Sequence, residues 1–280
     1  MAIELKAKFK LPLLLDVLGI ARSVYYYHLT KVKAGDKYAD VKACIEGIYH
    51  EHKGRYGYRR IMYALRQYGH YLNHKTIQRL MQQLGLKSTM RPKRYSSYRP
   101  NVGQSKQELM NRDFAATQPN QKWVTDVTEF NVSGQKVYLS PVIDLYNREV
   151  IAYRTAKNAT LPLVKNMLGD ALNKINTDNT LMFHSDQGWQ YRHKTIQKML
   201  RDKNITQSMS RKGNCLDNAV AESFFSVLKT EMYHRQKFKN ADELIEAIDE
   251  YIHYYNHKRI KLKLKGLSPV GYRNQALKAA

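Results

Sequence analysis

At Trp123 the apolar pattern of this chain changes period, and that change limits its architecture more than any other feature. Before it, apolar residues recur every three or four positions, the spacing of helices that bury one face. After it come short β-branched and aromatic runs bounded by turns. WVTDVTEF, KVYLSPVIDLYN and EVIAYRT, separated by NVSGQ and NR, read as three consecutive antiparallel strands, with Asp126 inside the first. A helix follows, opened by Thr160 with Pro162 in its first turn and striped by Val164, Met167, Leu168, Ala171, Leu172 and Ile175. Next are the strand LMFHS, a helix over 192–203, the strand ITQSMS and a helix from about Asp217.

Three strands, then α, β, α, β, α, is the element order of an RNase H-like core, here expected over 113–236. Ahead of it, LPLLLDVL ends at Gly19, and Ser23 stands where an N-cap would open a second short helix through VYYYHL. This pair over 1–36 fits a small DNA-binding module or a packed hairpin equally well. Over 37–86 three stripes are clearer: Val41, Ile45, Ile48, Tyr49; then Ile61, Met62, Leu65, Tyr68; then Ile77, Leu80, Met81, Leu84. Gly69 and Gly85 sit at C-terminal cap positions and Asn73 at an N-cap, so this unit reads as a helix-turn-helix DNA-binding domain. Its last helix turns Asn73, His74, Lys75, Gln78, Arg79 and Gln82 outward, where they suit base edges and phosphates. Residues 87–112 form a basic linker without either period, laid along DNA or left as a tether. Residues 237–280 supply a C-terminal helix and basic tail. Asn240 and Glu243 form a capping box, and Leu244, Ile245, Ile248, Tyr251, Ile252 and Tyr255 make a stripe that suits either its own core or a second subunit. The fold class is therefore α/β, an RNase H-like core between an all-α front region and a helical, basic tail.

The charge follows this division. The chain carries a net +23, of which residues 1–112 hold +15, from 22 basic and 7 acidic side chains. Residues 113–235 hold half of all the acids. The front therefore grips a polyanion, and the middle is where chemistry belongs. Two cysteines among 280 residues exclude a disulfide framework and a Cys-rich zinc module, and no apolar run reaches the length of a membrane span. His50 and His52 lack a following cysteine pair, so no structural zinc is expected. These features predict a cytoplasmic protein without membrane association.

Asp126 on the first strand, Asp186 just after the fourth and Glu222 on the helix after SRKGNCLDN come from separate elements. Two metal ions held together need carboxylates of that kind. Spacing alone decides little: roughly half an Asp–Glu pair 36 apart is expected by chance, and Asp113 with Glu149 makes a second such pair. Context selects the first. On the last helix Ala221, Phe224, Phe225, Leu228 and Met232 form the buried stripe, leaving Asn218, Glu222, Ser226 and Lys229 along the other side.

WVTDVTEF, HSDQGWQY and SRKGNCLDNAVAESFFSVLKTE resemble the catalytic core of DDE transposases and retroviral integrases. Thirty-five residues separate the second aspartate from the glutamate, and a lysine follows seven later. HKGRYGYRRIMYALRQYGHYLNHKTIQRLMQQLGL and YYNHKRIKLKLKGLSPVGYR resemble, more narrowly, the OrfB-type transposases of bacterial insertion sequences of the insertion sequence three family. The resemblance spans residues from about 37 to 273. It implies Asp126, Asp186 and Glu222 as catalytic and metal-binding residues. With them it implies a Mg²⁺-dependent polynucleotidyl transferase using two ions, with Mn²⁺ able to substitute, in a bacterial cytoplasm on the nucleoid. It further implies DNA cleavage and strand transfer at insertion-sequence ends, with one cleaved end joined to the other before insertion. It implies synthesis as a frameshift fusion to an upstream-frame OrfA-type protein, and two ends held by a homo-oligomer. The DNA contacts expected are Lys75, Gln78 and Arg79, then Arg211 and Lys212 in the loop before the last helix, and Lys229, about 10 Å along the helix from Glu222. Two other classes are compatible with parts of the pattern: a non-catalytic helix-turn-helix regulator, and a nuclease of the same fold. The 21 tyrosines also leave a covalent recombinase open.

Overall fold

The computed structural model describes residues 5–6, 8–89, 113–175, 180–211 and 218–279. Most of the 87–112 linker, and Lys212, lie outside the described residues. No helix among these residues is long and apolar enough to cross a membrane.

Two helices, α1 (Leu11–Val17) and α2 (Arg22–Ala34), open the described chain. The second helix begins at Ala21 rather than at Ser23, which lies inside its first turn. Three helices follow: α3 (Ala39–Glu51), α4 (Tyr58–Gln67) and α5 (His74–Gln83). They bury Val41, Ile45, Ile48, Ile61, Leu65, Ile77, Leu80 and Met81 against one another. Asn73 caps α5 by accepting from Lys75 N at 2.9 Å. Tyr68 leaves the expected stripe and is exposed, because it forms the C-cap of α4.

The sheet contains β1 (Lys122–Thr125), β2 (Thr128–Val132), β3 (Gln135–Asp144), β4 (Val150–Ala156), β5 (Met182–Ser185) and β6 (Thr206–Met209). β3 runs antiparallel to β4 on one side and to β1 and β2 on the other, while β5 and β6 add parallel to β1. WVTDVTEF is thus two strands in one register against β3, interrupted at Asp126 and Val127. Thr125 pairs with Val142 and Thr128 with Leu139, so Asp126 faces Pro141, which has no N–H to offer. Asp126 Oδ1 instead accepts the amide of Val127 at 2.7 Å.

Helix α6 (Leu161–Leu172), α7 (Trp189–Arg192) and α8 (Lys194–Arg201) lie along the elements after β4 and β5. One helix was expected over 192–203. His193, extended at ψ 137°, ends α7 and caps α8 by accepting from Thr195 N at 3.2 Å. Alternation along the strands splits the core in two. Trp123, Val142, Ile151 and Phe183 face α6 and α8. Val124, Ile143 and Val150 face α9 (Ala219–Glu231) and α10 (Ala241–His257). The α10 stripe is therefore core-facing, with Leu244, Ile248, Tyr251, Ile252 and Tyr255 buried beside the sheet. Its cap differs in one bond: Asn240 accepts from Glu243 N, but Glu243 Oε2 accepts from Lys239 N. Helix α11 (Pro269–Ala279) ends the described chain.

Three arginines and a glutamate tie the front helices to this core. Glu231, at the end of α9 and almost fully buried, takes two bonds from Arg259 (2.7 and 2.6 Å), one from Tyr251 OH (2.8 Å) and one from Arg60 (3.3 Å). Arg55 donates to the Glu231 carbonyl at 3.2 Å. Burial alone would raise the Glu231 pKa, but the Arg259 bonds and the Arg259 and Arg60 charges hold it below its usual value. His52 stacks on Tyr56 at 3.8 Å and meets Tyr254 OH at 3.1 Å, and burial pushes its pKa down to about 4. At Gly266, φ is +80° and a Cβ would lie 2.1 Å from the Tyr63 ring, so only glycine lets this turn pack on α4. Removing the charge by Glu231→Gln leaves the Arg60 and Arg259 guanidiniums buried without a counter-charge. We expect a loss of about 3–5 kcal/mol in urea unfolding; a loss under about 1 kcal/mol would contradict the hub.

Candidate active site

Parallel pairing brings the two aspartates level. Lys122 is opposite Met182, Trp123 opposite Phe183 and Val124 opposite His184. Continuing that register sets Asp126 against Asp186, one strand spacing apart, about 4.8 Å between backbones. Asp126 lies just past the end of β1, not inside a strand, and Asp186 just past β5. Chain ends of adjacent parallel strands are where side chains leave the sheet, and this fold puts both carboxylates there.

Each carboxylate is locally held. Asp186 Oδ1 accepts the Gly188 amide at 3.0 Å, and a Cβ on residue 188 would stand 2.9 Å from the same oxygen, so any larger residue there would displace the carboxylate. Below Asp126, Thr125 Oγ1 lies 3.1 Å from the fully buried Tyr191 hydroxyl, whose pKa burial raises. Asn218 Nδ2 donates to the Thr125 carbonyl at 3.1 Å, which pins the start of α9 to the end of β1. Asn218 was expected on the open side of the helix with Glu222. It is buried instead, and that bond is the reason. Glu222 follows one turn later and is exposed.

Asp126 feels the other two acids. Burial, then the Asp186 charge, push the Asp126 carboxyl up to about 7; the Val127 amide opposes this, and Glu222 adds a smaller push. Burial also raises Glu222. Asp126 and Asp186 are therefore the close pair, and Glu222 contributes from farther away. Among the described residues no three His, Cys, Asp or Glu groups converge tightly enough to hold one ion. The donor set is all carboxylate oxygen, which suits a hard divalent cation, and like charges crowded at a sheet end are relieved by one. By donor chemistry the residues fit Mg²⁺.

Of the expected DNA contacts, Lys75, Gln78 and Arg79 are exposed on α5, with Arg79 6.0 Å from the Tyr38 ring. Lys229 is half-buried; its ammonium lies 5.1 Å from the Phe130 ring, near Glu129 rather than Glu222, and burial lowers its pKa. Arg211 follows β6 and is partly buried. Sequence reasoning missed Trp189, three residues beyond Asp186 and 53% exposed, although an open indole beside an acid-bearing turn was visible in HSDQGWQY.

Comparison with known proteins adds to this geometry. The family described as Integrase core domain matches residues 116–215, and a second family of the same description matches 222–277. A family described as HTH-like domain matches 36–94. InsK of Escherichia coli K12, named for a transposase of insertion sequence element IS150, is 54% identical over 97% of this chain and 96% of its own length. The chain belongs to the insertion-sequence transposases. An uncharacterized transposase-like protein of Haemophilus influenzae is 50% identical over 74% of this transposase and 95% of its own length. The InsF transposase of insertion sequence IS3A from Escherichia coli K12 is 32% identical over 97% and 96%. These relatives and the integrase core favour a transposase over a non-catalytic regulator or a plain nuclease.

The raised Asp126 pKa has a sign that can be checked. Holding this carboxylate ionised costs the fold progressively more as pH rises from 3.8 to about 7. In EDTA at pH 8, Asp126→Asn is expected to unfold later than the unaltered transposase, by on the order of 2 kcal/mol, with the gain vanishing near pH 4. An equal or lower melting temperature at pH 8 would show that the acids do not repel.

Proposed function

We propose that this transposase cuts and joins DNA at the ends of an insertion sequence by metal-dependent phosphoryl transfer, with Asp126, Asp186 and Glu222 as its catalytic and metal-holding residues. The observation that carries the reading is the β1–β5 register, which sets Asp126 level with Asp186 at one end of the sheet, where Asn218 pins the start of the helix bearing Glu222. Bound to those three carboxylates, two Mg²⁺ ions would lower the pKa of the attacking hydroxyl and stabilise the leaving oxygen, with Mn²⁺ able to substitute. In the first step a water oxygen bonds to phosphorus, the phosphorus–O3′ bond breaks and a 3′-hydroxyl is released. In the second, that hydroxyl oxygen bonds to the phosphorus of another phosphodiester, whose own phosphorus–O3′ bond breaks and releases a new 3′-hydroxyl. The chain's part is placement. The Val127 and Gly188 amides fix one oxygen each of Asp126 and Asp186, and Asn218 sets the start of the helix bearing Glu222.

The DNA grip falls to the front helices, where Lys75, Gln78 and Arg79 stand open on α5. Lys229 and Arg211 are proposed to reach DNA nearer the triad; Lys212, proposed with them, is outside the described residues. The domain division of the sequence reading, the upstream-frame OrfA-type partner, the homo-oligomer holding two ends and the site in a bacterial cytoplasm on the nucleoid belong to the same proposal. The α10 stripe is used within the chain, so it offers no support for subunit contact. In cleavage assays on labelled end DNA with Mg²⁺, Asp126→Asn, Asp186→Asn and Glu222→Gln should each lose at least 100-fold in rate, on the order expected for lost metal ligands. A parallel gel shift should retain binding, whereas Arg79→Ala and Lys75→Ala weaken it. Substantial cleavage by any of the three acid variants would remove that residue from the site.

A further inference from the structure

A cleft of about 630 Å³ lies between α9, the turn joining β3 to β4, and the segment after α10. Five Lys or Arg side chains line it, with no carboxylate among its described lining residues: Arg60, Arg148, Arg259, Lys261 and Lys263. Arg60 and Arg259 are answered by Glu231 behind them. The other three have no ion-pair partner among the described residues. Lys261 donates to the Tyr255 hydroxyl and lies 4.4 Å from its ring. Burial, and then the Arg259, Arg148 and Arg60 charges, press its pKa well down. Asp144 opposes this at Arg148 and Glu231 at Lys261 without forming an ion pair with either, and part-buried cations crowded in this way are unfavourable as they stand.

Arg148 is the most informative member. Its φ is +63°, a backbone conformation that glycine or asparagine would adopt more readily. Its side chain turns into the cleft, donating weakly to the Phe114 carbonyl through Nη2 at 3.4 Å, while Nη1 is buried with no hydrogen-bond partner among the described residues. A buried guanidinium nitrogen left open, held at strained backbone, points to an acceptor that arrives with a ligand. The rings of Tyr146 and Tyr272, 5.5 Å apart, also line the cleft and offer apolar faces to a sugar or base. On α9, Ala219, Val220, Ser223 and Val227 line the cleft, so it runs along the flank of that helix turned away from Glu222.

We infer that this cleft is a second DNA-binding site, in which Arg148 and Lys261 hold a backbone phosphate of DNA lying along the flank of α9 away from Glu222. The inference rests on the reading of the chain as a DNA-acting transposase, but concerns binding alone, away from the carboxylates. A phosphodiester supplies what the cleft lacks: a compact negative charge, oxygens for the free Arg148 nitrogen and a sugar for the tyrosine faces.

The test uses the full chain without divalent metal, with Arg148→Asn, which suits a positive φ, and Lys261→Met, which relieves the cationic crowding. Both variants should melt at or above the unaltered temperature, so weakened binding cannot be assigned to unfolding. In fluorescence anisotropy with end duplex, each should bind several-fold more weakly at moderate salt, and the slope of log K against log salt should flatten by about 0.9 per lost phosphate. At matched ionic strength, inorganic phosphate should raise the melting temperature of the unaltered chain more than that of either variant. Unaltered affinity and slope in both variants overturn the inference. If phosphate stabilises selectively while DNA affinity is unaltered, the cleft takes a free anion and the DNA assignment is likewise overturned. Active acid-triad variants would refute the catalytic assignment without touching these binding results.

Discussion

The buried carboxylate of Glu231 is the contact on which the rest of the molecule depends. It closes the C-terminal end of α9, the helix that carries Glu222, and receives Arg259 from the segment after α10 and Arg60 from α4. Such a group is stable inside only because two guanidiniums and the Tyr251 hydroxyl satisfy it together. One result is that α9 is clamped at both ends. Asn218 bonds it to β1 at the start, and Glu231 bonds it to the front helices and the C-terminal segment at the finish. Another is that the front helices and the catalytic core share one polar seam, continued by the His52–Tyr56 stack and the Gly266 turn on Tyr63.

At the opposite end of the sheet the same physics is used with opposite sign. Parallel pairing of β1 and β5 places Asp126 level with Asp186. Burial, and then the Asp186 charge, raise the Asp126 pKa. A chain that neutralises Glu231 so fully, yet leaves three acids near one another at a sheet end, has two different tasks for buried charge. The first fixes geometry permanently, and the second leaves attraction available for a cation and, through it, for phosphate. In the basic cleft the arrangement is mirrored, with cations left for an anion.

Much of this was legible in the sequence, for reasons that can be named. Apolar stripes such as Ile61–Leu65 and Ile77–Leu80–Met81 specify helices locally, and the β-rich runs after Trp123 specify strands, so element order followed from pattern. What failed needed a partner distant in sequence. The interruption at Asp126 depends on Pro141 across the sheet. The burial of Asn218 depends on the Thr125 carbonyl, and the division of the 192–203 helix on His193 acting as a double cap. Glu231 did leave a trace, since it falls on the Ala221–Phe224–Leu228 stripe where an acid is out of place. Arg148 left none: a single arginine in a hairpin turn reads as solvated until the cleft around it is seen.

The central claim is that Asp126, Asp186 and Glu222 form one divalent-cation site on this transposase. Anomalous diffraction from crystals of the full chain with end DNA and Mn²⁺ tests it most directly, since the metal is located independently of any rate. The account predicts a pair of anomalous peaks flanked by the carboxylates of all three residues. Peaks that leave Glu222 without a metal contact, or that lie away from the ends of β1 and β5, would contradict it.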